Sequence, residues 1–245
     1  RKIVIELDGT PQLLPGESVE IEFVQSSPLL TAGVVESAEP VSGPTDELSV
    51  KTIKVPSSLA ETTRFEPSGI VREPGRDNYL LVSDDTGQGN DRTPFLFRMN
   101  AAGELQERPI DIEGIDEVTD LESIATKDGT VYVLASQSRS KRGKRPRART
   151  VFLSLTAAGE DYKVQKTLHL IEVLANESAE YLRGLGLPRL DDLEIEGMTQ
   201  NGGALFFGLK APLDEQGRAL VWKLERPDEL FAGKGAREAG LSLYA

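Results

Sequence analysis

The sequence predicts an all-β protein, and two observations narrow this to a β-propeller of four-stranded antiparallel blades. The first is a pattern that recurs along the chain, with Ser68, Glu122 and Glu196 at corresponding points about 54 and about 74 residues apart. The second is an Ala-Ala-Gly-Glu sequence that follows the third strand-like segment in two copies of the pattern. Four strands that repeat over such a period are typical of propeller blades. A β-sandwich, the alternative, would give strands without this long-period similarity.

Each copy of the pattern contains short segments rich in Val, Leu, Phe and Tyr, which favour strands. Asp128-Gly129 and Asn201-Gly202 separate two such segments, and these dipeptides favour tight hairpin turns because both central residues take positive φ. We expect one domain over residues 1–245, with blades near 65–118, 119–167 and 192–230. Strand-like segments at 19–24 and 49–55, with a linker-like break at 40–45, predict a further blade, partial or complete.

A short helical insertion is expected near residues 170–186, where the second copy is longer than the first. Ser178 is a suitable N-cap for a helix over 179–183, because its hydroxyl can accept from a free backbone N–H of the first turn. Gly184 and Gly186, followed by Pro188, end such a helix. We therefore expect this helix to lie between the second and third blades.

The composition excludes several classes of site. The chain has no Cys and a single His, His169, so a disulfide framework, a Cys-ligated metal, a thiol nucleophile and a multi-His centre are all excluded. The net charge of −12 disfavours nucleic acid as a partner. No apolar run approaches the roughly 18 residues that span a membrane. With no Walker loop or complete dinucleotide fingerprint in the sequence, we expect no zinc, haem or nucleotide cofactor.

Blade topology predicts where the polar residues meet. Successive strands of a blade run in opposite directions. The segment that leads into the first strand of a blade therefore lies on the same face of the propeller as the loop between its second and third strands. Glu122 and Glu196 stand at equivalent positions at the start of innermost strands, so both should point towards the central axis. Converging carboxylates, with Asp192 nearby, can hold a hard cation such as Ca²⁺. The alternative is that these acids cap backbone N–H groups or face solvent.

The same face collects the other candidate residues. The candidate catalytic residues are Asp84, Glu122 and Glu196, and the candidate ligand-binding residues are Asp85, Gln137, Arg139, Lys210 and Arg218. The segment 139–149, called the basic loop below, carries seven Lys and Arg residues. It is either an anion clamp or docking element for a small anionic molecule or an acidic protein surface, or simply a long solvated loop.

These motifs also resemble a known family. Glu66-Pro-Ser-Gly-Ile70, Asp120-Leu-Glu-Ser-Ile124, Asp192-Leu-Glu-Ile-Glu-Gly-Met198 and Gly208-Leu-Lys-Ala-Pro212 resemble the bacterial domain of unknown function DUF3616 and, more distantly, the esterase-like phytase propellers. The resemblance covers roughly residues 65–224. It implies a periplasmic or secreted propeller without an established activity and, through the phytase-like kinship, Ca²⁺-assisted hydrolysis of phosphoesters or esters. Such relatives need about six blades, and at about 50 to 60 residues per blade this chain supplies fewer. We therefore expect an incomplete ring.

Three functions remain open at this point. The favoured one is a propeller whose channel mouth binds a small anionic ligand or a partner. The second is a Ca²⁺-dependent hydrolase in which Glu122 and Glu196 hold the metal, Asp84 positions or activates water, and Lys210 and Arg139 grip an anionic substrate. The third is a propeller for protein interaction alone, with the basic loop as its docking element.

Overall fold

A computed structural model of the protein describes residues 52–62, 65–84 and 93–245. All of these except Thr52 belong to one compact unit, Ile53–Ala245. The strand-like segment 19–24, the break at 40–45 and the candidate residue Asp85 lie outside the described residues, so the predictions made for them remain predictions. The same holds for the expected single domain over 1–245.

The described residues form mostly β-structure, as predicted, in three consecutive four-stranded meanders. The first consists of β1 (Pro67–Arg72), β2 (Asn78–Ser83), β3 (Phe95–Asn100) and β4 (Ile110–Glu113). The second consists of β5 (Leu121–Lys127), β6 (Thr130–Ala135), β7 (Val151–Ala158) and β8 (Asp161–His169). The third consists of β9 (Glu194–Asn201), β10 (Ala204–Leu213), β11 (Ala219–Leu224) and β12 (Leu241–Leu243). Neighbouring strands within each meander pair antiparallel.

The Asp128-Gly129 turn takes the predicted conformation, whereas the turn predicted at Asn201-Gly202 lies one residue later, at Gly202-Gly203. Asp128 and Gly129 between β5 and β6 have φ of 50° and 82°, and Gly202 and Gly203 between β9 and β10 have φ of 58° and 85°. Two successive left-handed residues give a turn whose twist matches that of the flanking strands. Asp tolerates this conformation better than most non-glycine residues, which is why an Asp-Gly pair can replace Gly-Gly.

Short helices connect and flank the meanders. They are α1 (Ser57–Thr62), α2 (Leu170–Ala175), α3 (Ala179–Gly184) and α4 (Pro227–Phe231), with 3₁₀ turns at Arg147–Arg149 and Leu190–Asp192. The predicted insertion near 170–186 is confirmed as α2 and α3, and the Ser178 hydroxyl accepts a hydrogen bond from the Tyr181 N–H as expected of an N-cap. In the described residues, no helix is long and apolar enough to cross a membrane.

The first strands of the three meanders lie side by side. β5 contacts both β1 and β9, and β1 also approaches β9. At the opposite edge, β4 pairs parallel with β8, where Ile112 lies opposite Tyr162, so the first two meanders form one eight-stranded sheet. The third meander extends past the predicted limit near residue 230, because α4 separates its last strand, β12, from β11. The first strands of the meanders thus lie together, and the last strands of the first two meanders pair with each other.

Two hydrophobic clusters fill the space between successive meanders. Between the second and third, Trp222, Phe207 and Phe152 are completely buried, and the Phe152 and Phe207 rings meet edge to face with centroids 5.8 Å apart. The Trp222 indole donates a 2.7 Å hydrogen bond to the Leu185 carbonyl, which fixes the helical insertion to the third meander. Apolar side chains of the first and second meanders form the other cluster. These contacts hold the strand ends, and hence the candidate site, in place.

Candidate functional site

Backbone hydrogen bonds connect the three meanders near the starts of their first strands, β1, β5 and β9. The Asp84 N–H donates to the Glu66 carbonyl at 3.0 Å, and the Asp120 N–H donates to the Asp84 carbonyl at 2.9 Å. The same pattern then repeats: Ser136 donates to Asp120 at 2.9 Å, and Ile195 donates to Ser136 at 2.8 Å. The segment before β5 is thereby hydrogen-bonded to the end of β2, and the start of β9 is hydrogen-bonded to the residue that follows β6. This framework fixes the positions of the side chains around it.

A bulge occurs at the same place in the first strand of each meander. The pairing skips Ser68 between Pro67 and Gly69, and it skips Glu122 and Glu196 at the corresponding points of β5 and β9. The predicted equivalence of Glu122 and Glu196 is therefore confirmed by the strand register. A bulge leaves one residue out of the ladder and re-aims its side chain, a device that is common next to functional sites.

Three carboxylates form a tight group at this end, which we call the carboxylate cluster: Asp84, Asp120 and Glu122. One oxygen from each lies within 4.8 Å of the others. Asp120 is only 6% exposed and Glu122 8%, whereas Asp84 is half-buried. Buried carboxylates at this spacing repel one another when ionised, because the low local dielectric strengthens their interaction.

Asp120 is held by three side-chain donors. Ser136 and Arg149 each donate a hydrogen bond to its carboxylate, and Ser138 donates at 3.2 Å. Its backbone has a φ of 62°, a left-handed conformation that is uncommon for residues with a side chain, although Asp tolerates it better than most. Asp120 is thus held in one orientation, with Arg149 as its ion-pair partner. From the sequence, Asp120 is named only within a family motif and is not predicted as a site residue.

Glu122 differs from Asp120 in having no such support. Within the described residues, no hydrogen bond to the Glu122 carboxylate occurs, although the residue is only 8% exposed. Burial raises the pKa of its carboxyl to about 8, and the nearby charges of Glu196 and Asp84 act in the same direction. Neither Glu122 oxygen is completely enclosed, so the carboxyl can be protonated, contact water or bind a cation, and the last would compensate most fully for its burial.

Asp84 is the least buried member of the carboxylate cluster. Burial raises the pKa of the Asp84 carboxyl to about 7, its hydrogen bond with Asp120 adds to the effect, and the charge of Arg149 opposes it. Asp84 retains its proton more readily than a carboxyl in water because it lies in a group of three close carboxylates. Asp84 therefore exchanges its proton near neutral pH.

Lys210 forms the positive rim of the site. Its ammonium lies 2.9 Å from Glu194 and 3.3 Å from Glu196, in ion pairs that join β9 to β10. Burial raises the pKa of the Glu196 carboxyl while Lys210 lowers it, with a net upward shift. The Lys210 side chain remains 60% exposed, so its charge is available to a ligand that approaches the cluster.

The other predicted site residues have local partners. Of the three predicted cation ligands, Glu122 is in the carboxylate cluster, Glu196 lies at the rim, and Asp192 pairs with Arg189 at 2.7 Å. Arg218 pairs with Asp214 at 2.7 Å within the turn between β10 and β11. Asp192 and Arg218 are thus engaged in short-range ion pairs, and neither belongs to the close group of carboxylates in the described part of the chain.

Gln137 and Arg139 serve the framework of the basic loop in this structure. Gln137 is fully buried, with a φ of 63°, and its amide donates to the Ala135 carbonyl at 3.0 Å and accepts from the Ile171 N–H at 3.3 Å. Arg139 forms an ion pair with Asp191. The contact with a ligand that was predicted for both residues stays a prediction.

Comparison with known proteins adds no relative to this picture. No family model matches the chain, and no curated protein matches it.

The chemistry of the site is therefore inferred from its own residues. The three carboxylates of the cluster supply hard oxygen donors, Glu194 and Glu196 lie at the rim, and two cations, Arg149 and Lys210, flank them. Oxygen donors of this kind suit Ca²⁺ or Mg²⁺ rather than a soft metal.

Proposed function

We propose that the described residues form three consecutive blades of a β-propeller whose channel mouth binds a hard divalent cation, calcium in particular, and through it an anionic ligand. The three meanders in sequence order, their adjacent first strands and the bulge repeated at Ser68, Glu122 and Glu196 support the propeller. The relationship to DUF3616 and the phytase-like propellers, and a periplasmic or secreted location, belong to the same proposal.

The observation that carries the cation site is the unsupported Glu122 carboxylate. It is buried beside Asp84 and Asp120 and has no hydrogen-bond donor among the described residues. A divalent cation at this point would neutralise the mutual repulsion of the three groups and supply the partner that Glu122 lacks. Asp120 is already oriented by Arg149 and two serines, which lowers the cost of organising a ligand set.

The residues fit calcium better than other ions. The cluster offers only carboxylate oxygens, with more carboxylates at the rim, and Ca²⁺ accepts six to eight oxygen ligands in a flexible arrangement. Bound there, the ion would supply positive charge that polarises a phosphoryl or carboxyl oxygen. Lys210, exposed at the rim, would bind a further oxygen of the same anion. This chain's own residues thus bind the ion and orient the anion.

A calcium titration by calorimetry tests the cation site. We expect one calcium per chain, and we expect Glu122→Gln to weaken binding at least about tenfold, since it removes a charged oxygen ligand. Glu113→Gln is the matched control, because Glu113 is exposed at the end of β4 and loses the same charge. Binding that is absent in the unaltered protein, or that both variants weaken equally, would reject the site.

Hydrolysis of a phosphoester is a second candidate, favoured by the position of Asp84. Asp84 is the half-buried member of the carboxylate cluster, so water can reach it, and its carboxyl exchanges a proton near neutral pH. Such a group can act as a general base towards a water molecule. Calcium-dependent release of p-nitrophenol from p-nitrophenyl phosphate, lowered in Asp84→Asn by more than its loss of calcium affinity and unchanged in Glu113→Gln, is the expected result. Calcium binding without any hydrolysis would show that the protein binds the ion but does not catalyse this reaction.

A further inference from the structure

The seven cations of the basic loop fall into two groups. Four arginines anchor the loop: Arg139 and Arg145 pair with Asp191, Arg147 pairs with Glu172, and Arg149 pairs with Asp120. The remaining three, Lys141, Arg142 and Lys144, are exposed and form no ion pair with any residue that the structure describes. We call them the tip cations. The positive charge of the loop was visible in the sequence, but this division between anchors and tip cations was not.

The tip has a defined conformation. The Gly143 N–H donates to the Ser140 carbonyl at 2.7 Å, and the Ser140 N–H donates to the Lys144 carbonyl at 2.7 Å, which closes a tight turn. The Arg139 guanidinium donates to the Gly143 carbonyl at 2.6 Å, and Gly143 has the φ of 73° that the turn requires. Lys141 and Arg142 therefore occupy the two corners of the turn. A surface that is already ordered loses less entropy on binding.

Other unpaired cations in the described residues do not form such a group. They are Lys163, Lys166, Arg183 and Arg237, and they are spread over β8, α3 and the segment before β12. Three free positive charges within four residues are thus concentrated at one point of a chain whose net charge is −12. Because most of the loop's positive charge is used to hold this turn in place, the tip is a prepared positive surface.

We infer that the tip cations dock an acidic segment of a partner protein. The tip is a convex turn with its three side chains in solvent, so it cannot enclose a small anion. The net charge of −12 opposes a long polyanion such as nucleic acid, whereas a short acidic segment meets only the local positive charge. In the described residues the exposed large hydrophobic side chains lie elsewhere, at Val55, Leu213, Leu243 and Tyr244, so nothing beside the tip would insert into a membrane.

This inference is independent of the proposed cation site. It needs only the tip cations, and none of them contributes to the carboxylate cluster. The position of the tip has a consequence, however, since Arg149 at the base of the same loop donates to Asp120. A partner held at the tip would therefore sit on the element that orients one residue of the cluster.

Fluorescein-labelled hexaglutamate is a suitable probe, with binding followed by fluorescence anisotropy in the full chain. We expect the triple variant Lys141→Ser, Arg142→Ser, Lys144→Ser to weaken binding about tenfold or more, and we expect 0.5 M salt to abolish the difference, since exposed charges are screened. The control, Lys163→Ser, Lys166→Ser, Arg183→Ser, removes the same charge from exposed positions. Equal weakening in both variants would overturn the inference.

Competition distinguishes the classes of partner. We expect hexaglutamate to compete better than a single-stranded 20-mer oligonucleotide of the same total concentration of charge, and we expect vesicles with 20% phosphatidylserine not to retain the protein. Tip-dependent binding that is tighter for the oligonucleotide or the vesicles would overturn the assignment to an acidic polypeptide. Circular dichroism and thermal melting verify the fold of each variant. The charge reversal Lys141→Glu, Arg142→Glu provides a second test should the triple variant fail to fold, and it is expected to abolish binding.

Discussion

Arg149 donates a hydrogen bond to Asp120, 29 positions earlier in the chain, and so ties the basic loop to the carboxylate cluster. Both side chains are largely buried, at 20% and 8% exposed. The same guanidinium donates to Ser138 at 2.9 Å, which in turn donates to Asp120. Arg149 therefore holds both Asp120, which has a left-handed backbone, and Ser138 in place just before β5 and just after β6.

The first prediction concerns this pair. Arg149→Met should lower the free energy of unfolding by about 2 to 4 kcal/mol, because it leaves a buried carboxylate without its counter-ion. Arg147→Met is the matched control from the same loop, since its ion pair with Glu172 is exposed and should contribute less than about 1 kcal/mol. Urea denaturation at pH 7 measures both. A loss in Arg149→Met no larger than in the control would show that the pair is not a structural support.

The second prediction is a pH dependence of the calcium-free protein. The pKa of Glu122 is raised by burial to about 8, so folding favours the protonated carboxyl. This contribution to stability is fully present below the unfolded-state pKa, near 4.3, and is lost as the pH rises through about 8. Glu122→Gln, which cannot ionise, should therefore be more stable than the unaltered protein at pH 9, by at least about 1 kcal/mol, and similar to it at pH 5.

Urea denaturation in the presence of EDTA at the two pH values measures this difference. Glu113→Gln serves again as the control, and its effect on the free energy of unfolding should be similar at pH 5 and pH 9. If Glu122→Gln were equally destabilising at both pH values, the Glu122 carboxylate would have a structural partner, and its proposed role as an unsupported cation ligand would be wrong.

The third prediction follows from the raised pKa values of Asp84 and Glu122. At pH 7 both carboxyls are partly or mostly protonated, and a cation requires them ionised, so calcium binding should release protons. Calorimetry in buffers of different ionisation enthalpy measures the number released, which we expect to be about one per calcium at pH 7 and to approach zero at pH 9.5. A proton count of zero at both pH values would place calcium elsewhere.

The fourth prediction tests how the helical insertion is held. Trp222→Phe removes the indole N–H that donates to the Leu185 carbonyl and leaves a small cavity among completely buried side chains. We expect a loss of about 2 to 3 kcal/mol in the free energy of unfolding. Leu243→Ala, at a position 42% exposed on the edge strand, should cost well under that amount. Equal losses would show that Trp222 is not a principal core contact.

The sequence was informative wherever a signal is local. Asp128-Gly129 specified a hairpin turn, Ser178 specified an N-cap, and the repeat placed Glu122 and Glu196 at equivalent positions. Each of these depends on residues a few positions apart, or on a comparison of one copy of the repeat with the next. The backbone conformations of these segments follow from steric preference and from hydrogen bonds within the segment.

Features that depend on distant partners could not be predicted in this way. The importance of Asp120 comes from Arg149, and nothing near Asp120 in the sequence identifies that partner. The division of the basic loop into anchors and tip cations depends on Asp191 and Glu172, which lie beyond the loop. The last strand, β12, is three residues long and follows a helix, so it carries no periodic pattern of its own.

The central claim is that a hard cation occupies the carboxylate cluster. The most direct measurement is a crystal structure of the protein grown with terbium(III), a calcium substitute with strong anomalous scattering. We predict one strong anomalous peak within bonding distance of carboxylate oxygens of Asp84, Asp120 and Glu122. Crystals that diffract well and show no peak at this cluster, or a peak only at exposed surface acids, would contradict the claim.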